Sequence, residues 1–242
     1  MSFEEFKKHG VTQNTPKQIM LGAGTIHKNL KFGYHLVNIE PADWATSYTN
    51  YYQKNGVDSY TPVTGNTAPT FSAGTFYFKG WNAAETLIGA TSGGNKITIT
   101  PNITTVEVDG ALVKVKGLDF KQGEVAKLET NMVEVTPELI KTTVIGQVVE
   151  SDAEGYSLIE SKPDILAGDY FENLGFVGWR TDNTPIIIIL DNALCTTGFE
   201  GEAKNKDNSV VKVTFECYQD VEGDLMKLPY HIYTPTPANA QG

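Results

Sequence analysis

The sequence has 242 residues, of which 40% are hydrophobic and 20% charged, enough apolar material for a folded core. Its formal net charge of -10 argues against tight binding of nucleic-acid phosphates, which requires lysine and arginine. That acidity suits a surface that DNA passes without sticking, although a role in solubility alone is the simpler explanation of the charge.

The N-terminus, MSFEEFKKHG, is polar and lacks the apolar segment of a signal peptide. Residues 3–9 are predicted to form a short helical turn with Phe3 and Phe6 on one side. The longest aliphatic run, Ile186 to Leu190, is far shorter than a membrane span. We therefore expect a soluble protein that is made in a cytoplasm and has no membrane partner.

The first third of the chain divides into one clear strand and a long irregular region. KQIMLGAGT at 17–25 is predicted to be a strand that ends in glycines. Residues 31–86 are rich in Tyr, Thr, Asn, Gly and Pro, with a short helix predicted within 41–56 and a strand or hairpin arm at 71–81. We interpret 31–86 as an insertion, because loops of this length are usually functional or organised by a partner.

Strand patterns become regular after Gly94. Hydrophobic and polar residues alternate through 96–108 and are interrupted at Pro101, which indicates an edge strand or a bend. Asp109-Gly110 separates this segment from a second alternating segment at 111–115. This pattern predicts a two-residue hairpin with a type I′ turn, whose central positions both need a positive φ.

A long strand at 124–134 and a helix follow. In that strand Ala126, Leu128 and Met132 are predicted to oppose a polar face. Thr136-Pro137 is a typical helix start, because threonine caps the first turn and proline suits it. Ile140 and Val144, four residues apart, are expected to face the sheet.

The last third repeats the β pattern. Strands are predicted at 170–179, at 186–190 with burial on both faces, and at 210–218 with one polar face. Cys195 and Cys217 have neither metal-type nor C-x-x-C spacing, so we interpret them as small buried hydrophobic residues.

Together these elements predict an all-β fold, a β-sandwich or flattened barrel with one short flanking helix and a long loop insertion. We expect a single domain over 1–242 that carries the insertion at about 31–86 and a mobile C-terminal tail at about 235–242.

No segment has the pattern of a catalytic, cofactor or metal site. GATSGGNK lacks the P-loop order of residues and precedes a strand instead of a helix. The acidic turn that starts at Glu150 has Ser161 where a calcium loop has its bidentate glutamate. The four histidines share no ligand spacing. Asp169, Glu172 and Asp182 offer the carboxylates of a glycosidase, but nothing in the sequence distinguishes them.

Several segments, in this order, resemble the major tail tube proteins of tailed bacteriophages. They are LGAGTIHKNL, IGATSGGNKITITPNITTVEVDG, VKGLDF, NMVEVTPELI and TPIIIILDNALCTTGFEGEAKNKDNSVVKVTFECYQD. The resemblance covers roughly the first thirty residues and most of 87–220, and the insertion at 31–86 departs from it.

The resemblance implies a structural virion protein that self-assembles into stacked hexameric rings and forms the tube for genome delivery. It implies partnership with further copies of the chain and with tape-measure, tail terminator and baseplate or tip proteins. DNA would pass through the tube without specific binding. Assembly would take place in the bacterial host cytoplasm, and the product would reside in the phage tail. No catalytic, cofactor or metal residue is implied.

Polar faces on two predicted strands are the candidate lumen-facing or neighbour-facing positions. Their members are Lys127, Glu129, Asn131, Lys212, Thr214 and Glu216. A solvent-exposed sheet face explains the same alternation equally well.

Two other functions fit parts of the sequence. A carbohydrate- or receptor-binding module of a virion would use the aromatic residues of the insertion, namely Trp44, Tyr48, Tyr51, Tyr52, Tyr60 and Trp81. An inner tube protein of a contractile injection device would share the fold and the assembly. The first is tested by glycan binding and the second by a neighbouring sheath gene.

Overall fold

A computed structural model describes residues 15–36, 51–57, 59–62, 76–82, 86–202 and 209–236. The chain divides into two compact units, Leu30–Thr86 and the remainder, 1–29 with 87–242. The first unit coincides within one residue with the predicted insertion. The helical turn predicted at 3–9, most of the helix predicted in 41–56 and the end of the predicted tail lie outside the described residues.

Fourteen strands and two short α-helices lie within those described ranges. In chain order they are α1 (Thr15–Gln18), β1 (Met20–His27), β2 (Phe32–Leu36), β3 (Tyr51–Lys54), β4 (Tyr60–Pro62), β5 (Phe76–Trp81), β6 (Thr91–Thr105), β7 (Asp119–Met132), α2 (Pro137–Thr143), β8 (Gly146–Val149), β9 (Leu158–Ser161), β10 (Phe171–Arg180), β11 (Pro185–Cys195), β12 (Glu200–Glu202), β13 (Val210–Cys217) and β14 (Tyr230–Tyr233). A 3-10 turn covers Ala167–Asp169.

The larger unit is built on one antiparallel sheet with the order β1-β10-β11-β13-β7-β6. β12 adds to β13, and β14 adds to β11. The two end strands, β1 and β6, meet where the Asn95 side-chain amide donates to the Ala23 carbonyl oxygen at 2.8 Å. The sheet therefore curls into a flattened barrel, and the predicted all-β, sandwich-type fold is confirmed.

The contact between β1 and β6 explains the glycine pair of GATSGGNK. β6 carries a two-residue bulge between Thr91 and Asn95, in which Gly93 and Gly94 have positive φ. The bulge turns Asn95 inward, where its side-chain oxygen accepts from the buried Thr130 hydroxyl at 2.5 Å. The segment that resembles a phosphate loop is thus a structural bulge that joins the end strands.

The core fills the inside of the barrel. Leu174 on β10, Leu190 on β11, Phe215 on β13 and Leu128 on β7 are almost completely buried in one hydrophobic cluster. Side chains of β7 and β13 alternate between this cluster and the outside, as predicted. Each such aliphatic side chain contributes about 1.5–3 kcal/mol by burial, so this cluster holds the barrel together.

β11 lies centrally, as the aliphatic run Ile186–Leu190 predicted, with β10 on one side and β13 and β14 on the other. Asn192 has φ +48 at the position where β11 changes its partner from β14 to β13. Cys195 and Cys217 are both buried and free on these adjacent strands, which confirms their interpretation as buried hydrophobic residues.

The predicted helix start is confirmed, but the predicted buried face is wrong. The Thr136 hydroxyl accepts from the Leu139 backbone N–H, and Pro137 lies in the first turn. The residues that face the core are Leu139 and Thr143, whereas Val144 is 41% exposed and ends the helix. The error is one residue in phase, because both pairs have the same four-residue spacing.

The hairpin predicted at Asp109-Gly110 is also wrong in its type and its strands. Only Gly110 has a positive φ, which excludes a type I′ turn. Residues 111–115 form no strand, and the long hairpin is β6–β7, joined by the loop 106–118. The strand predicted at 17–25 differs at its start, because 17–18 are helical. Residues 51–54, which were included in a predicted helix, form β3.

The smaller unit contains a four-stranded antiparallel sheet with the order β2-β5-β3-β4. Tyr34 on β2 and Tyr60 on β4 lie on opposite edge strands, yet their rings stack with centroids 3.9 Å apart. Neighbouring strands are about 4.8 Å apart, so this sheet must curl for the two edges to meet.

Candidate assembly surfaces

The structure brings all six predicted polar residues onto one outer face of the larger unit. They form three directly opposed cross-strand pairs between β7 and β13: Lys127 with Glu216, Glu129 with Thr214, and Asn131 with Lys212. Lys212 is exposed and the other five are half-buried. We call these six residues the polar face. Whether it lines a lumen stays a prediction.

Three of the four charged residues on the polar face are ion-paired. Lys127 forms an ion pair with Glu216, and the hydrogen bond between them is the main reason that the pKa of Lys127 is raised. Glu129 accepts from Lys96 of the neighbouring β6 at 2.9 Å. Paired exposed charges add little stability, but they leave few free cations to hold a passing polyanion.

A shallow hollow of about 380 Å³ adjoins the polar face. Its lining includes Asn131 and Lys212 of that face together with Thr197 and Glu200 from the segment after β11. The Thr197 hydroxyl accepts from the backbone N–H of Thr214 at 2.9 Å. This arrangement offers hydrogen-bonding groups but no activated nucleophile.

The second surface is the protruding end of the β6–β7 hairpin, residues 101–123, which we call the arm. Every residue of β6 from Pro101 to Thr104 and of β7 from Asp119 to Gly123 is exposed. The loop between the strands is closed at its base by the Val106 N–H, which donates to the Leu118 carbonyl at 2.9 Å. The arm is therefore an ordered ribbon with solvent on both faces.

Apolar side chains on this ribbon are exposed to solvent. Leu112 is 99% exposed and Val113 76%. The other exposed apolar residues of the arm are Ile103, Val106, Val108, Val115 and Phe120. A two-stranded ribbon is marginally stable alone in water, and contiguous exposed apolar patches usually mark interaction sites. The arm thus has the exposed apolar surface that is typical of an interaction site.

Asp169 and Asp182, two of the three acidic residues considered for a glycosidase, do not come together. Asp169 precedes β10 and Asp182 follows it, so the length of a ten-residue strand separates them, about 33 Å. Asp169 is paired with Lys162 at 2.6 Å, and Asp182 with Arg180 at 2.7 Å. Glu172 is exposed on β10 itself. The spacing between Asp169 and Asp182 is too wide for two carboxylates that act on one bond.

One acid–base contact was not foreseen from the sequence. His231 of β14 lies 3.0 Å from the Asp191 carboxylate, and burial raises the pKa of Asp191. The two residues are distant in sequence, so only the pairing of β14 with β11 reveals the contact. Over the described ranges, no three His, Cys, Asp or Glu side chains group as metal ligands.

Aromatic residues of the insertion pack on one another. Tyr34, Tyr60 and Tyr77 form a continuous cluster, with Tyr60 and Tyr77 centroids 5.1 Å apart. Lys79 lies 5.3 Å above the Tyr34 ring. Because the rings pack against one another, the cluster supports a role in local packing more than a role as a flat sugar-binding platform. Trp44 and Tyr48 lie outside the described residues.

No helix in the described part of the chain is long and apolar enough to cross a bilayer. No protein-family model matches the chain, and no curated protein matches its sequence significantly.

Proposed function

We propose that this chain is a structural subunit of a bacteriophage tail tube, which self-assembles into stacked hexameric rings around a channel for the genome. The observation that carries the proposal is the arm, an ordered ribbon that exposes apolar residues on both faces. Such a ribbon costs free energy in an isolated subunit and is stabilised when neighbouring copies cover it.

The electrostatics support the same proposal. The chain carries a net charge of -10. Lys127 of the polar face is paired with Glu216, and Glu129 of that face is paired with Lys96 of β6. A channel wall with this character repels the phosphate backbone weakly and offers it little to bind. Tape-measure, tail terminator and baseplate or tip proteins are the proposed further partners, and the virion tail is the proposed location.

An inner tube of a contractile injection device would need the same subunit properties, so it remains the nearest alternative. A carbohydrate-binding module has less support, since the tyrosine cluster of the insertion is packed internally.

Replacing residues 106–118 by a two-residue Asn-Gly turn tests the role of the arm. Light scattering after size exclusion should show oligomers of the wild-type chain that grow with concentration, and monomers of the variant. The barrel core lies outside the replaced segment, so the variant should keep its far-UV circular dichroism. A wild-type chain that stays monomeric at every concentration would refute the proposed function.

A further inference from the structure

We infer that Asn55 is a site of spontaneous deamidation, and that the isoaspartate formed there detaches β4 from β3. Asn55 lies in the turn that joins these two strands of the smaller unit. The chemistry needs no partner other than water, so it does not depend on assembly of the larger unit.

Asn55 is the one asparagine in the sequence that a glycine follows. Deamidation begins when the backbone nitrogen of the next residue attacks the carbon of the side-chain amide. A side chain on that next residue shields the attacking nitrogen and restricts the backbone rotation that the attack requires. Gly56 has no side chain and imposes neither barrier, so the sequence at this turn favours the reaction.

The structure leaves this dipeptide open to solvent. Asn55 and Gly56 are both exposed, so water and hydroxide reach the reacting atoms. The other exposed asparagines within the described ranges are Asn29, Asn102 and Asn183. They precede leucine, isoleucine and threonine, whose branched side chains cover the attacking nitrogen. Among these four exposed asparagines, Asn55 is therefore the one that the chemistry selects.

The reaction has two balanced steps. Solvent base removes the proton from the Gly56 nitrogen, which then bonds to Cγ of Asn55 while the bond from Cγ to Nδ2 breaks. The departing amide nitrogen takes up a proton and leaves as ammonia, and a cyclic succinimide remains. Water then opens the ring. Breaking the bond from nitrogen to Cγ gives aspartate, and breaking the bond from nitrogen to the main-chain carbonyl carbon gives isoaspartate.

The same asparagine holds the turn between β3 and β4. Its backbone N–H donates to the Ser59 carbonyl oxygen at 2.8 Å, and its side-chain amide donates to the Thr61 hydroxyl at 2.5 Å. Isoaspartate adds one atom to the backbone, which shifts Ser59 relative to that N–H. It also has no amide group to donate to Thr61. Both contacts that fix the turn are thus changed by one reaction.

β4 depends on this turn more than a longer strand would. It has three residues, Tyr60–Pro62, and it lies at the edge of its sheet, paired with β3 alone. Its Tyr60 ring stacks on Tyr34 with centroids 3.9 Å apart and meets the edge of Tyr77 at 5.1 Å. A shift of β4 therefore separates Tyr60 from both rings.

Peptide mapping of the aged chain tests the site. The full chain is incubated in mildly alkaline buffer, and tandem mass spectrometry then locates each residue that has exchanged an amide for an acid. We expect Asn55 to convert first, into a mixture of aspartate and isoaspartate. Asp109-Gly110 does not disturb this measurement, because isomerisation of an aspartate leaves its mass unchanged. Conversion of other asparagines while Asn55 stays intact would overturn the assignment.

Two variants are matched controls for the mechanism. Asn55→Gln should abolish conversion at this position, because its longer side chain would have to close a less favourable six-membered ring. Gly56→Ala should slow conversion several-fold by shielding the nitrogen. Gly56 has no positive φ, and an added Cβ would lie 3.6 Å from Cβ of Ser59, an ordinary contact, so the turn accommodates alanine. An unchanged rate in Gly56→Ala would contradict attack by this nitrogen.

The consequence for β4 is tested by comparing the aged chain with Asn55→Asp. This variant carries the same new charge on a normal backbone, so it should keep the near-ultraviolet circular dichroism of the tyrosine cluster. The aged chain should lose that signal in proportion to its isoaspartate content. An aged chain that keeps the full signal, or an equal loss in Asn55→Asp, would show that isoaspartate does not detach β4.

Discussion

Single glycines set the path of β1 past the core. Gly24 has φ +69, and a Cβ at this position would lie 2.5 Å from Cε2 of Phe176 and 2.9 Å from the Val177 carbonyl oxygen. Gly22 has φ +81 but faces open space. The LGAG motif therefore combines one position that needs only the left-handed conformation with another that also needs the absence of a side chain.

Substituting these glycines separates the two requirements. Gly24→Ala should destabilise the fold by about 3 kcal/mol, since backbone strain adds to a clash with the buried Phe176. Gly22→Ala should cost only about 1 kcal/mol, the strain alone. Chemical denaturation of both variants measures the difference, and equal losses would show that the close approach to Phe176 is absent.

At the scale of elements, the regular strands were predictable and the irregular connections were not. The alternation in β7 and β13 predicted both the core residues and the polar face, because one side of each strand faces a buried layer. The phase of α2 was missed because the Leu139–Thr143 and Ile140–Val144 pairs have the same spacing, and only packing against the barrel selects the first.

The arm shows the other limit of sequence patterns. Residues 111–115 alternate like a strand, but no neighbouring segment pairs with them, and the turn at Gly110 lies within a closed loop. Alternation in the sequence predicted which residues form the polar face. Which of them lie opposite one another depends on the pairing of β7 with β13. Such long-range pairing is not encoded in local periodicity.

A buried ion pair fixes the connection between β9 and β10. Lys162 and Asp169 are largely buried and 2.6 Å apart, and Asp169 also accepts from the Leu166 N–H at 2.7 Å. Burial alone would raise the pKa of Asp169, but the bonds from Lys162 and Leu166 outweigh it and lower the pKa. The charged carboxylate is thus the form that the folded chain favours.

This pair predicts a definite dependence of stability on pH. A depressed carboxyl pKa contributes stability above the unfolded value, about 3.9, and that stability is lost as the pH falls through the folded pKa. Lys162→Met should cost about 3 kcal/mol at neutral pH, because an uncompensated carboxylate remains buried. Below about pH 4 the penalty should shrink, since the carboxyl becomes neutral.

The double variant Lys162→Met, Asp169→Leu is the control for that prediction. It should recover most of the loss at neutral pH, because replacing both partners by apolar residues removes the buried charge. Thermal melts from pH 3 to pH 7 compare the three chains. A Lys162→Met penalty that is the same at every pH would contradict the electrostatic origin.

At the scale of the whole molecule, the interior, the polar face and the arm of the barrel differ in character. Its interior supplies the stability, its polar face carries balanced charge, and the arm exposes apolar side chains. In the proposed assembly, neighbouring copies cover the exposed apolar residues of the arm.

Electron microscopy of the purified chain at high concentration tests this account most directly. We predict hollow tubes whose end-on views show six-fold rings, and a loss of these tubes in the chain that lacks 106–118. Compact monomers in every field, from wild-type protein that is folded by circular dichroism, would contradict the central claim of self-assembly into a tube.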